Sequence, residues 1–292
     1  MKIICQNEFI LFTIIFLSVQ NNFPQEIPSF NKQPNLLLSN FVSYKTDKRN
    51  RSFSDDGSLF INSVAGTFSS PFNWKANDLY YAGGFLVLSA GSFLLDDEVR
   101  KVFLNNRNKT FDNLETIGYN YGAPLYTISG SLLIYTSGAL FDNNWLRNTG
   151  LMLTETIVVI GIIQIPSRII FGRARPYTES GNSSFKFLKG LGQERASFIS
   201  GHAAIAFGIS NILSHQINNP FATIGLYGLA SLTPLSRLYA DRHWFSDIFV
   251  GTALGIFISN TIINFNEKSA GRNQKFSIIP TLNGIHFIYS IN

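Results

Sequence analysis

From Ile248 to Phe265 the chain runs for 18 residues without a charge, close to the ~20 apolar residues that a helix needs to cross a bilayer. Tyr119–Phe141 is a second uncharged run. These two segments restrict the chain to a fold with long, buried or lipid-embedded helices. Composition agrees: 14% of residues are charged, against about 25% in soluble domains. The 45% hydrophobic content and 27 Phe argue against disorder. Lys and Arg number 23 against 18 Asp and Glu, and the resulting charge of +5 is no nucleic-acid signature. The single cysteine, Cys5, lies in the N-terminal apolar stretch, which excludes disulfide scaffolds, zinc–cysteine sites and a cysteine nucleophile.

Four regions are expected. Residues 1–20 read as a secretory signal, with Lys2 ahead of the apolar run Phe9–Leu17 and Ser18-Val19-Gln20 near a cleavage point. Residues 21–71 form a mostly polar N-terminal region, 72–266 a helical domain, and 267–292 a tail. Candidate helices are Leu79–Leu95, Tyr119–Phe141, Thr149–Ser167, Ala203–Gln216, Phe221–Leu235 and Ile248–Phe265, separated by Gly, Pro, Asn and charge clusters. Leu79–Leu95 contains Gly83-Gly84 and Thr149–Ser167 contains Glu155, so both read equally as buried helices of a water-soluble bundle. In the tail, Phe276–Leu282 and Ile285–Ile291 flank Asn283-Gly284, a pair suited to a tight β-hairpin turn.

Chemistry concentrates between Arg168 and Asp247. Of twelve arginines, Arg168, Arg173, Arg175, Arg195, Arg237 and Arg242 fall in two short stretches. Guanidinium forks match phosphate oxygens and repel one another unless an anion lies between them. Arg168 and Arg175, seven apart, would share one helical face. Ser200-Gly201-His202 opens the next predicted helix, where free N–H groups and the helix dipole favour an anion and Gly201 permits its close approach. His243 and Asp247, four apart, would share a helical face, with the carboxylate fixing the imidazole tautomer. The free nitrogen could then attack phosphorus while His202 protonates the leaving oxygen. Arg173 and Arg242 lie off these faces and read as supporting or headgroup contacts. The acidic trio Asp96, Asp97 and Glu98 shows no metal-ligand spacing.

Together these residues resemble the type 2 phosphatidic acid phosphatases (PAP2), whose active site is shared with class A bacterial acid phosphatases and vanadium haloperoxidases. The family pattern is Lys-x6-Arg-Pro, then Pro-Ser-Gly-His, then Ser-Arg-x5-His-x3-Asp. Here the last block is complete from Ser236-Arg237 through His243 to Asp247; Arg168 stands for the Lys and Ile199 for the first Pro. The resemblance implies an all-α, PAP2-like helical bundle embedded in the membrane, to which the sequence adds the short C-terminal hairpin. It implies phosphate binding by Arg168, Arg175, Ser200, Gly201 and Arg237, catalysis by His243, His202 and Asp247, and no metal or other cofactor. The implied substrate is a lipid phosphate or diphosphate, such as phosphatidic acid, phosphatidylglycerol phosphate or undecaprenyl diphosphate, in the cell envelope with the site facing the periplasm. Alternatives on the same pattern are a non-specific periplasmic acid phosphatase, soluble after export, a vanadate-dependent haloperoxidase, and a non-catalytic membrane binding protein.

Overall fold

The computed structural model describes residues 52–190 and 192–269, and the backbone of 276–281 and 284–289. The expected signal at 1–20 lies outside the described residues. Among the described residues the helices are α1 Phe53–Ser69, α2 Ala76–Ser92, α3 Asp96–Asn105, α4 Lys109–Gly122, α5 Pro124–Leu140, α6 Asn144–Phe171, α7 Gly201–Ile217, α8 Pro220–Tyr239 and α9 Phe245–Ser269. Described separately, β1 Phe276–Thr281 and β2 Gly284–Tyr289 pair antiparallel, from Phe276 opposite Tyr289 to Thr281 opposite Gly284.

The sequence reading needs two corrections here. The N-terminal region was expected to be a polar lead-in, but part of it forms α1. Its start is fixed by a capping box in which the Ser52 hydroxyl accepts from Asp55 N–H and the Asp55 carboxylate accepts from Ser52 N–H. This helix buries Asp56, Ser63, Gly66 and Thr67 rather than an apolar stripe, so hydrophobic periodicity could not reveal it. Asp56 accepts from Arg147 Nε and Tyr135 Oη, both at 2.7 Å. The second correction concerns Tyr119–Phe141, which is two helices. Pro124 has no N–H to continue the α4 ladder and instead opens α5 at its first turn, where no such bond is needed.

The core lies between α6, α7 and α9, where Val159, Ile160, Ile205, Ile212, Ile258 and Ile262 are buried together. Gly251 and Gly255, one turn apart on α9, allow it to approach α7 closely. A side chain at Gly251 would meet the Ser200 carbonyl, and one at Gly255 the Ala204 carbonyl. That contact sets the first turn of α9 beside the first turn of α7. Because the obstacle is helix backbone, Gly255→Val should lower stability by about 1–3 kcal/mol. Thermal unfolding of the detergent-solubilised protein would measure this, and an unchanged midpoint would show that α9 is not pinned at this point.

Among the described residues, three helical stretches are long and apolar enough to cross a membrane: Ala76–Asn105, Asn144–Phe171 and Phe245–Ser269. The first is almost wholly unburied, and Leu86, Val87 and Leu88 on it point outward, as do Leu125, Leu133 and Leu140 on α5. A continuous apolar exterior of this kind is suited to lipid.

Candidate active site

The four sequence blocks converge at one end of the bundle. Arg168 occupies the last turn of α6, which stops at Gly172 in a left-handed conformation (φ 51°) with its N–H returned to the Arg168 carbonyl. Arg175 therefore lies beyond the helix, not on a shared face as the spacing suggested. The turn nevertheless brings it back, and Arg168, Arg175, His202 and Arg237 line one cleft of about 1100 Å³. Arg237 enters from the last turn of α8 and His202 from the first turn of α7.

Each cation is held in place by neutral or carbonyl groups along part of its fork. With the Gln164 amide oriented oxygen-inward, an assignment made from the network, its oxygen accepts from Arg168 Nε at 2.8 Å and Nη1 at 2.9 Å. Gln164 packs directly over Gly201, where any side chain would collide with it. Arg175 donates weakly to the Arg242 and Ala196 carbonyls, both at 3.4 Å. The buried Arg175 Nε, Ser200 Oγ and His202 Nε2 have no hydrogen-bond partner among the described residues. Buried polar atoms of this kind are costly unless something satisfies them, and an anion between the arginines would do so for the two N–H groups and the hydroxyl.

His243 is almost completely buried and precedes α9 rather than sharing a helical face with Asp247, which sits in the first turn. Its Nδ1 lies 3.6 Å from Asp247 Oδ2, beyond hydrogen-bond range, and makes no other hydrogen bond among the described residues. A modest shift of the ring would close that gap. Asp247 is anchored independently: Oδ2 accepts from Ser197 Oγ at 2.5 Å and Trp244 N at 2.9 Å, and Oδ1 from Arg173 Nη1 at 2.5 Å. Three donors thus converge on one buried carboxylate, with the imidazole close by. Burial pushes His243 down to about 4, with the Arg175 and Arg168 charges acting the same way and Asp247 opposing them. Burial likewise pushes His202 down to about 3, aided by Arg237, His243, Arg168 and Arg175. Both imidazoles are therefore neutral at neutral pH.

Sequence reasoning missed the support behind Asp247. Arg173 is fully buried and bridges Asp247 to Asp96, donating to Asp96 Oδ2 at 2.6 Å, and its guanidinium carbon lies 4.4 Å from the Phe93 ring centroid. Asp96 also accepts from Ser246 N and Oγ, both at 2.8 Å. The first member of the acidic trio is thus an internal counter-charge. The Arg173 signal lay in the arginine clustering, but Asp96 is 77 residues away from it, and no local pattern joins them. Also missed was Glu115, which lines the cleft and pairs with Arg237.

The PAP2 superfamily model matches residues 149–270, which contain every sequence-predicted site residue. A curated relative, lipid A 1-phosphatase of Porphyromonas gingivalis, is 36% identical over 81 residues, or 27% of this chain. The match spans only 18% of that relative's length. Among solved structures, Aquifex aeolicus LpxE aligns over 58% of this chain and 95% of its own, at 24% identity and a TM-score of 0.44. The PAP2-type phosphatidylglycerolphosphate phosphatase of Bacillus subtilis aligns over 73% and 96%, at 19% identity and a TM-score of 0.47.

Proposed function

With residues 149–270 identified as a PAP2 superfamily segment, we propose that the protein is a membrane phosphatase that hydrolyses a lipid phosphomonoester or diphosphate through a phosphohistidine. The observation that carries this reading is the cleft itself, where Arg168, Arg175 and Arg237 surround His202. The unpartnered buried atoms Arg175 Nε, Ser200 Oγ and His202 Nε2 belong to the same constellation. Three fixed guanidiniums and the N-terminus of α7 stabilise the charge that develops on phosphoryl oxygens.

His243 is the nucleophile. Asp247 holds its Nδ1 side, so Nε2 attacks phosphorus as the bond to the leaving oxygen breaks, and His202 donates a proton to that oxygen. Water then attacks the phosphohistidine, giving up its proton to His202, and orthophosphate leaves with His243 restored. The depressed pKa of His202 sets a condition on this step. Burial and then the arginines make the imidazole resist protonation; a phosphate dianion among the arginines offsets most of their charge and favours the protonated acid. The substrate thus helps to install its own proton donor.

The apolar exterior and the three candidate spans support a membrane setting for the catalytic domain, and Ile165 and Ile169 of α6 line the cleft wall. A lipid chain can follow this wall while its headgroup occupies the arginine pocket. Export through residues 1–20 would put the site on the periplasmic face. Reporters fused after Asn292, active only in the cytoplasm or only in the periplasm, test that orientation.

Because His and Arg supply the nucleophile, acid and charge clamp, hydrolysis of p-nitrophenyl phosphate and of phosphatidic acid should continue in EDTA. Vanadate should inhibit competitively, since its five-coordinate adduct on His243 imitates the displacement transition state. Activity lost in EDTA and restored by a divalent cation, or indifference to vanadate in an active preparation, would count against this mechanism.

A further inference from the structure

Two carboxylates line the cleft, Asp112, which accepts from the Tyr239 hydroxyl, and Glu115. Arg237 Nη2 donates to Glu115 Oε1, and both residues line the cleft. The pair is placed by backbone contacts. Gly118 and Gly122 press α4 onto its neighbours, since a side chain at Gly118 would strike the Leu232 carbonyl of α8, and one at Gly122 would strike Thr233 and the His202 carbonyl. Glu115 and Tyr119, four apart, therefore face the pocket together. Tyr119 packs 4.5 Å beneath the Arg237 guanidinium and 5.2 Å from the His202 ring. Ser236 Oγ accepts from Arg237 Nε at 3.1 Å, so the guanidinium has a fixed pose and Glu115 takes one of its outward donors.

We infer that Glu115 is an affinity-setting residue: its carboxylate competes with phosphate for Arg237 and so weakens the pocket's hold on phosphate ligands, the orthophosphate product included. This inference rests on the phosphatase reading above. A carboxylate oxygen resembles a phosphoryl oxygen in charge and hydrogen-bond geometry, so the two cannot share the same guanidinium edge. A phosphate dianion gains Arg168 and Arg175 as well as Arg237 and displaces the carboxylate, and the cost of that displacement lowers its affinity and speeds product release.

The test uses Glu115→Gln, which keeps size and polarity but removes the competing charge, in full-length protein in detergent micelles. Inhibition of p-nitrophenyl phosphate hydrolysis is measured with orthophosphate. If Arg237 is engaged by Glu115 about nine-tenths of the time, orthophosphate should inhibit the variant about tenfold more tightly. Glu115→Asp, whose shorter side chain reaches Arg237 less well, should fall between the two. An inhibition constant for orthophosphate that stays the same or rises in Glu115→Gln overturns the inference, because it makes Glu115 a support for Arg237 rather than its competitor. If wild-type protein neither hydrolyses p-nitrophenyl phosphate nor binds orthophosphate, the phosphatase reading fails and this one with it.

Discussion

His243→Ala should abolish turnover and any phosphoenzyme trapped by acid quench, a loss of about 10⁴-fold or more, because it deletes the attacking nitrogen. The cavity that it leaves is small and the fold should survive. Asp247 retains Arg173, Ser197 and Trp244 as partners after the imidazole is gone. His202→Ala should behave differently. On the rate of phosphoenzyme formation its effect should be about 10²–10⁴-fold for a lipid phosphate, whose alkoxide leaving group needs a proton, and much smaller for p-nitrophenyl phosphate, which departs without one. The phosphoenzyme should still form in that variant. Circular dichroism confirms folding, and the ratio of the two activities separates the roles. A folded His243→Ala protein that keeps wild-type turnover would overturn the mechanism, and a His202→Ala defect independent of leaving group would remove His202 as the acid.

The parts of this site that were legible in the sequence are those where function is written locally. Ser200-Gly201-His202 and Ser236-Arg237 are contiguous, and each sits at a helix end. The reading of apolar runs also located α6 to α9, of which α6, α7 and α9 build the apolar core. It failed at α1, where the buried face carries Asp56, Ser63 and Thr67, and hydrogen bonds across the bundle replace apolar burial. It failed again at Ala123-Pro124, where an uncharged composition concealed a helix break. Spacing rules failed in a third way. Arg168 with Arg175, and His243 with Asp247, were assigned to common helical faces, yet a helix end falls within each pair. The residues still meet, because Gly172 turns the chain back in one case and Trp244 N–H caps onto Asp247 in the other. Glu115 was illegible for a different reason: an acidic residue on a half-exposed helix looks like solvent-facing charge until its partner, 122 positions later, is known.

Arg173→Met should be the most destabilising substitution in the domain, by about 3–5 kcal/mol, because it strands charge that cannot reach water. Arg173, Asp96 and Asp247 are each fully buried. The guanidinium donates to Asp247 at 2.5 Å, to Asp96 at 2.6 Å, to Ser246 Oγ at 2.8 Å and to the Asn182 carbonyl at 2.8 and 3.0 Å. Methionine fills much of the volume between Phe93 and Trp244 and donates none of these bonds, so two carboxylates of like charge are left facing one another. Relief should follow from neutralising one of them. The double variant Arg173→Met/Asp96→Asn should recover part of the lost stability, a coupling visible in a mutant cycle of thermal or denaturant unfolding in detergent. Activity should recover less than stability, since Asp247 regains no partner on its Oδ1 side. A single variant within 1 kcal/mol of wild type, or two substitutions that add without coupling, would show that the three groups do not act as one charge-balanced unit. The arrangement also reaches beyond the matched segment 149–270: Asp96 comes from the start of α3, so the residues that position Asp247 include one contributed by the chain ahead of that segment.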